Sequence, residues 1–192
     1  KSRFKNNLCG GVMDKIFKGF IKQYIDALNN DIDMDLLLKS ADLIKEAKNK
    51  GGKIILAGNG GSAAMASHVA VDFTKNASIR AINFNEADLI TCFANDYGYE
   101  NWVEQALKFY AEEDDLVVLI SSSGNSMNMV NAANYCKKVN MDVITLTGFS
   151  ENNKLKKLGK INFWIDSPEY NIVEMTHHII LLLLVDGFIN ES

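Results

Sequence analysis

Apolar residues recur along this chain with two alternating periods. Between Val12 and Asn29, Ile16, Phe17, Phe20, Ile21, Tyr24, Ile25 and Leu28 fall at helical spacing on one face while Lys15, Lys18, Lys22 and Asp26 fall elsewhere. That spacing predicts an amphipathic helix. A second helix is expected from Met34 to Asn49, capped by Asp33, apolar at Leu36, Leu37, Ala41, Leu43 and Ile44, and stopped by Gly51-Gly52. Beyond it, apolar runs at 53–57, 79–84, 115–120, 142–147 and 161–165 read as strands. Helical patterns at 62–75, 99–112, 126–138, 151–158 and 170–189 separate them, with a short apolar piece at 88–93. Continuous apolar strands alternating with helices predict an α/β fold, a parallel sheet covered on both faces. Ligands of such sheets sit beyond the carboxyl ends of the strands.

Two loops fall at that end: Gly58-Asn59-Gly60-Gly61-Ser62 and Ser121-Ser122-Ser123-Gly124-Asn125-Ser126. Each follows a strand and opens a helix with no carboxylate in its first turn. Glycine-permitted backbone N–H groups, serine hydroxyls and the positive end of a helix dipole together suit a phosphorylated ligand. The hydroxyls of Ser121, Ser123 and Ser126 can surround a phosphate as neutral donors. Taken alone, the first loop also matches a dinucleotide fingerprint, Gly58-x-Gly60-x-x-Ala63. Against that reading, the next strand ends in Asn83, Asn85 and Glu86, a marginal acidic partner for a ribose, and the serine loop has no role in a simple dinucleotide site. Plainer readings are a glycine turn and a solvated serine turn capping its helix at Ser126.

Composition narrows the partners. The 192 residues suffice for one domain with a sizeable core, and 47% of them are hydrophobic. Net charge is -4 with no basic stretch interleaved by aromatics, which argues against nucleic acid as a ligand. Cys9, Cys92 and Cys136 are widely spaced and odd in number, as expected for reduced thiols in a cytoplasmic protein. The first ten residues lack the apolar core of a signal peptide. The most apolar run, residues 179–185, is too short for a membrane span and reads as a buried helix.

In order and spacing, the two loops together with Asn95-Asp96-Tyr97-Gly98 and Asp166-Ser167-Pro168 resemble the sugar isomerase (SIS) domain. More closely they resemble the phosphoheptose isomerases, which interconvert sedoheptulose 7-phosphate and D-glycero-D-manno-heptose 7-phosphate for bacterial surface polysaccharides. The resemblance covers essentially the whole chain. It implies a single SIS domain over 1–192: a three-layer, flavodoxin-like sandwich with a five-stranded parallel sheet at 51–192, preceded by N-terminal helices at 1–50 that pack in an oligomer. Members like this one form homotetramers with sites at subunit boundaries. Carried over by position, Ser121, Ser122, Ser123 and Ser126 hold the sugar phosphate. Asn59, Gly60, Gly61 and Ser62 line the substrate site, joined by Asn95, Asp96 and Asp166.

The catalytic positions depart from the family. Where the family has a histidine followed four residues later by a glutamate, serving as base and in zinc-containing members as metal ligand, this chain has His68 and Asp72. The spacing keeps both on one helix face, but the carboxylate is one methylene shorter. Where the last helix of the family supplies a glutamine and a histidine, this chain has Val173 and Leu181. It offers instead Glu174, Thr176, His177 and His178. One of the two histidines is expected to act as the acid; adjacent helical residues point about a hundred degrees apart, so at most one faces the site. Zinc, if bound, would keep only His68 and Asp72 of the family's set and would need recruits such as Glu174 or a histidine. No redox cofactor is required. Two functions follow as expectations. One is an aldose–ketose isomerase with Asp72 as base and His177 or His178 as acid, for this heptose or for a related sugar. The other is a non-catalytic phosphosugar-binding protein acting as a sensor or assembly partner. Plainer roles are a structural His68, an exposed Asp72 and a histidine pair at a helix interface.

Overall fold

Five strands form one parallel sheet: β1 (Ile54–Gly58), β2 (Ala81–Asn83), β3 (Leu116–Ser121), β4 (Val143–Gly148) and β5 (Ile161–Ile165), in the order β2-β1-β3-β4-β5. This computed structural model describes residues 7–191, with side chains from Gly11 onward, so the chain start at 1–6, the Cys9 thiol and Ser192 lie outside the described residues. The helices are α1 (Asn7–Asn30), α2 (Met34–Asn49), α3 (Gly61–Lys75), α4 (Ala87–Tyr97), α5 (Trp102–Tyr110), α6 (Met127–Lys138) and α7 (Tyr170–Glu191). The fold is the α/β sandwich that the alternation of strands and helices predicts.

Strand side chains alternate between two cores. Ile54 and Leu56 of β1, with Leu116, Val118 and Ile120 of β3, pack against α2, α3 and α7. Ile55 and Ala57, with Val117 and Leu119, pack against α5 and α6 on the other face. At the opposite end from the loops, buried Asp115 fixes the start of the sheet, accepting from the Lys53 backbone N–H at 2.8 Å and from Lys53 Nζ at 2.7 Å. Parallel register then sets Ala57 beside Leu119 and Gly58 beside Ile120. Because the strand order reverses between β1 and β3, the crevice of the sheet opens there, and both candidate loops leave from its two lips.

Several elements differ from the sequence expectation. The piece at 88–93 belongs to helix α4, since Leu89, Ile90, Phe93 and Ala94 pack together on the second core and Gly98, at φ +84°, ends the helix. The segment at 151–158 contains one turn of 3₁₀ helix, Leu155–Lys157. The apolar run 179–185 is the middle of the longer α7, which among the described residues is the one helix long and apolar enough to cross a membrane by length and composition. Half of that helix's apolar window is buried inside the protein, where Ile172, Val173, Ile180, Leu181, Leu184 and Val185 face the core.

Candidate functional site

The turn after β1 is built on Gly60, whose φ of +55° lies in the region that only glycine adopts without strain. It turns the chain into α3, whose first turn carries no acidic residue, and buries Ser62. The turn after β3 runs through Ser122 and Ser123 to Ser126, the residue before α6, again with no acidic residue in the first helical turn. Ser121 Oγ donates to Ser126 Oγ at 3.0 Å, and Ser123 Oγ accepts from the Asn125 N–H at 3.2 Å. The buried Ser122 hydroxyl finds no hydrogen-bond partner among the described residues. Asn59, Ser62, Ser121, Ser122, Ser123 and Ser126 line one cavity of about 210 Å³, closed on its far side by Tyr170 and Glu174 of α7. Serine hydroxyls and two helix N-termini converge there on a space that suits an anion.

Asn59 has a second task that sequence reasoning missed. Its side chain exchanges two hydrogen bonds with the buried Asn128 of α6, at 3.1 Å and 2.9 Å, and its Oδ1 also accepts from Tyr99 Oη at 3.1 Å. The amide pair ties the two loops together and leaves Asn59 one N–H free for a ligand. Asn128 lies two residues after the serine loop, so an amide at the second position of α6 was the available signal, though nothing in the sequence names its partner.

A larger cavity of about 580 Å³ adjoins, lined by Tyr24 of α1, Gly61, Ala64, Met65 and His68 of α3, and Asn171, Glu174, Met175 and His178 of α7. His68 Nδ1 and His178 Nε2 are 3.0 Å apart, and His68 Nε2 is 3.1 Å from Asp72 Oδ2. With Asp72 ionised, His68 donates from Nε2 to the carboxylate and accepts at Nδ1 from His178, which leaves His178 Nδ1 for the cavity. Partial burial, reinforced by the neighbouring His68, holds the His178 ring below the usual imidazole range, while Asp72 pulls the other way. Asp72 is occupied on both oxygens, since Oδ1 accepts from Asn76 Nδ2 at 3.1 Å, and it lines neither cavity.

Other expected residues lie apart. His177 is fully buried under the sheet, its Nε2 3.0 Å from the Thr147 carbonyl, so of the two adjacent histidines it is His178 that faces the site. Asn95 and Asp96 sit exposed in the last turn of α4, joined to each other at 2.9 Å, and line neither cavity. Asp166 is exposed after β5, beside Asp31, whose carboxyl is raised chiefly by burial. Two of the family's four zinc positions do not fit the metal: Val173 and Leu181 are buried in the apolar core, with Val173 packed against Gly148. Among the described residues no three His, Cys, Asp or Glu side chains are grouped to hold a metal ion.

A five-stranded parallel sheet with serine and glycine loops at its switch point is the arrangement of a phosphosugar-binding domain, and residues 17–148 match the family model of the SIS domain. The chain is 32% identical to the phosphoheptose isomerase of Fusobacterium nucleatum over 78% of this chain and 79% of that protein. It is 34% identical to the phosphoheptose isomerase of Proteus mirabilis, over 79% of this chain and 80% of the relative. The solved structure of phosphoheptose isomerase GmhA from Neisseria gonorrhoeae superposes with a TM-score of 0.84 at 25% identity, covering 94% of this chain and 99% of that one. The chain therefore belongs to the SIS-domain family, and within it to the phosphoheptose isomerases.

Proposed function

We propose that this chain is an aldose–ketose isomerase that converts sedoheptulose 7-phosphate to D-glycero-D-manno-heptose 7-phosphate, supplying heptose for surface polysaccharide. The observation that carries the reading is the placement of two chemistries along α7. Tyr170 and Glu174 wall the serine cavity, and His178 lies one helical turn further, about 6 Å along the axis from Glu174 and about 12 Å from Tyr170. In an extended heptulose 7-phosphate, seven bonds separate phosphorus from C2, a span of roughly 9 Å at ordinary bond lengths. A phosphate held by Ser121, Ser122, Ser123, Ser126 and Ser62 would leave the sugar chain long enough to extend past Glu174, the residue common to both cavities, toward His178.

In this reading His178, in its imidazolium form, gives a proton to the carbonyl oxygen and later recovers one from the neighbouring hydroxyl. Asp72 acts through His68, holding the tautomer that orients His178. No redox cofactor enters, because the reaction moves hydrogen between adjacent carbons of one molecule. We further propose a cytoplasmic homotetramer assembled through the N-terminal helices. The test is incubation of the purified protein with sedoheptulose 7-phosphate in heavy water, followed by NMR. Formation of the aldose with deuterium at C1 or C2 is expected. Binding with neither turnover nor exchange would instead make this a phosphosugar-binding protein without isomerase chemistry.

A further inference from the structure

Asp72 lines neither cavity, and His68 and Asn76 already engage one of its oxygens each. Glu174 is differently placed. It is the one carboxylate that lines both cavities, and its side chain makes no hydrogen bond or ion pair with any described residue. Its position depends on a missing side chain: a Cβ on Gly61 would overlap the Glu174 carboxylate. The glycine therefore opens the space at the start of α3 into which this carboxylate reaches. Glu174 and His178 are four residues apart on one helix, so their side chains meet on the same face and can serve the same pair of carbons.

We propose that Glu174, not Asp72, is the base that carries hydrogen between C1 and C2; the assignment rests on the isomerase reading above. In the ketose-to-aldose direction the Glu174 carboxylate takes a proton from C1. The C1–H electron pair becomes the C1=C2 bond, and the C2=O π pair moves to O2, which takes a proton from the His178 imidazolium. The product is an enediol, with Glu174 now a carboxylic acid and His178 neutral. His178 then takes the proton from O1 as the C1=O bond forms, and the C1=C2 pair recovers the proton from Glu174 at C2. Both groups return to their starting states, with no oxidant, reductant or net proton needed. His68 and Asp72 are positioning residues in this scheme, acting on His178.

The test compares wild type, Glu174→Gln, Gly61→Ala and Asp72→Asn for turnover of sedoheptulose 7-phosphate and for deuterium uptake in heavy water. Removing a general base is expected to lower kcat by 10²–10⁴-fold. For Glu174→Gln, KM should stay within about threefold and exchange at C1 should disappear with turnover, while Asp72→Asn keeps measurable exchange. Gly61→Ala should reproduce the loss by displacing the carboxylate, and adding it to Glu174→Gln should cost little more. Exchange by Glu174→Gln within threefold of wild type overturns the assignment, as does a Glu174→Gln defect confined to KM. Abolition of exchange by Asp72→Asn alone overturns it too. A wild type that binds the sugar but neither turns it over nor exchanges overturns the isomerase reading itself, a result distinct from an active Glu174→Gln.

Discussion

His177 shows what about a hundred degrees of helical rotation does to two neighbouring side chains of the same kind. His178 reaches the cavity, whereas His177 is sealed beneath the sheet against the Thr147 carbonyl, with its Nδ1 unpartnered among the described residues. Burial drives its pKa down to about 4 from an ordinary 6.5, the Thr147 contact opposing only in part. The folded protein thus holds His177 neutral while the unfolded chain protonates it below 6.5. Its contribution to stability is complete above that value and is lost as pH falls toward 4, by about 3 kcal/mol in total. Urea unfolding at pH 7 and pH 5 checks this: wild type should lose about 2 kcal/mol more over that interval than His177→Leu, in which no group titrates at the position. Equal losses would mean that His177 is not held neutral.

Between elements, the site depends on β1 and β3 delivering their loops side by side and on the Asn59–Asn128 amide pair locking them. Asn128→Ala removes both bonds and leaves the half-buried Asn59 amide with Tyr99 alone as partner, which should cost about 1–3 kcal/mol of stability. In a double-mutant cycle with Asn59→Ala the two losses should be clearly less than additive, and KM for the phosphosugar should rise as the loops part. Strict additivity in urea unfolding would show that the pair does not couple them. The loops themselves were legible in the sequence because their needs are local: a glycine at positive φ, serines at a strand end, helices free of carboxylates. The parallel sheet followed from the alternation of strands and helices, though not the order of its strands. What was not legible depends on how one element sits against another. The apolar piece at 88–93 suits a strand or a helix until Leu89, Ile90 and Phe93 find a common core. Helical periodicity could say that only one of His177 and His178 faces the site, but not which one, since that is fixed by the rotation of α7 against α3. The same rotation brings Glu174 over Gly61.

At the scale of the molecule, α1 is the element least satisfied by a single chain. Val12, Met13, Ile16, Phe17, Phe20, Ile21 and Ile25 are each more than two-fifths exposed, a continuous apolar stripe along a helix that the sequence pattern predicts to be amphipathic. A stripe of this length on one helix is the surface that the proposed assembly would bury, at about 1.5–3 kcal/mol for each large side chain fully removed from water. Tyr24, further along the same helix, forms a wall of the cavity that holds His68, Glu174 and His178. Assembly and catalysis should therefore fail together. Light scattering on the wild type is expected to give the mass of four 21.3 kDa chains, about 85 kDa. Phe17→Glu combined with Phe20→Glu places charges in the stripe and should yield smaller species with a lower melting temperature. Isomerase activity should fall in step with the tetramer fraction as protein concentration is reduced. A monomeric wild type, or a double variant that stays tetrameric and fully active, would remove α1 from both roles.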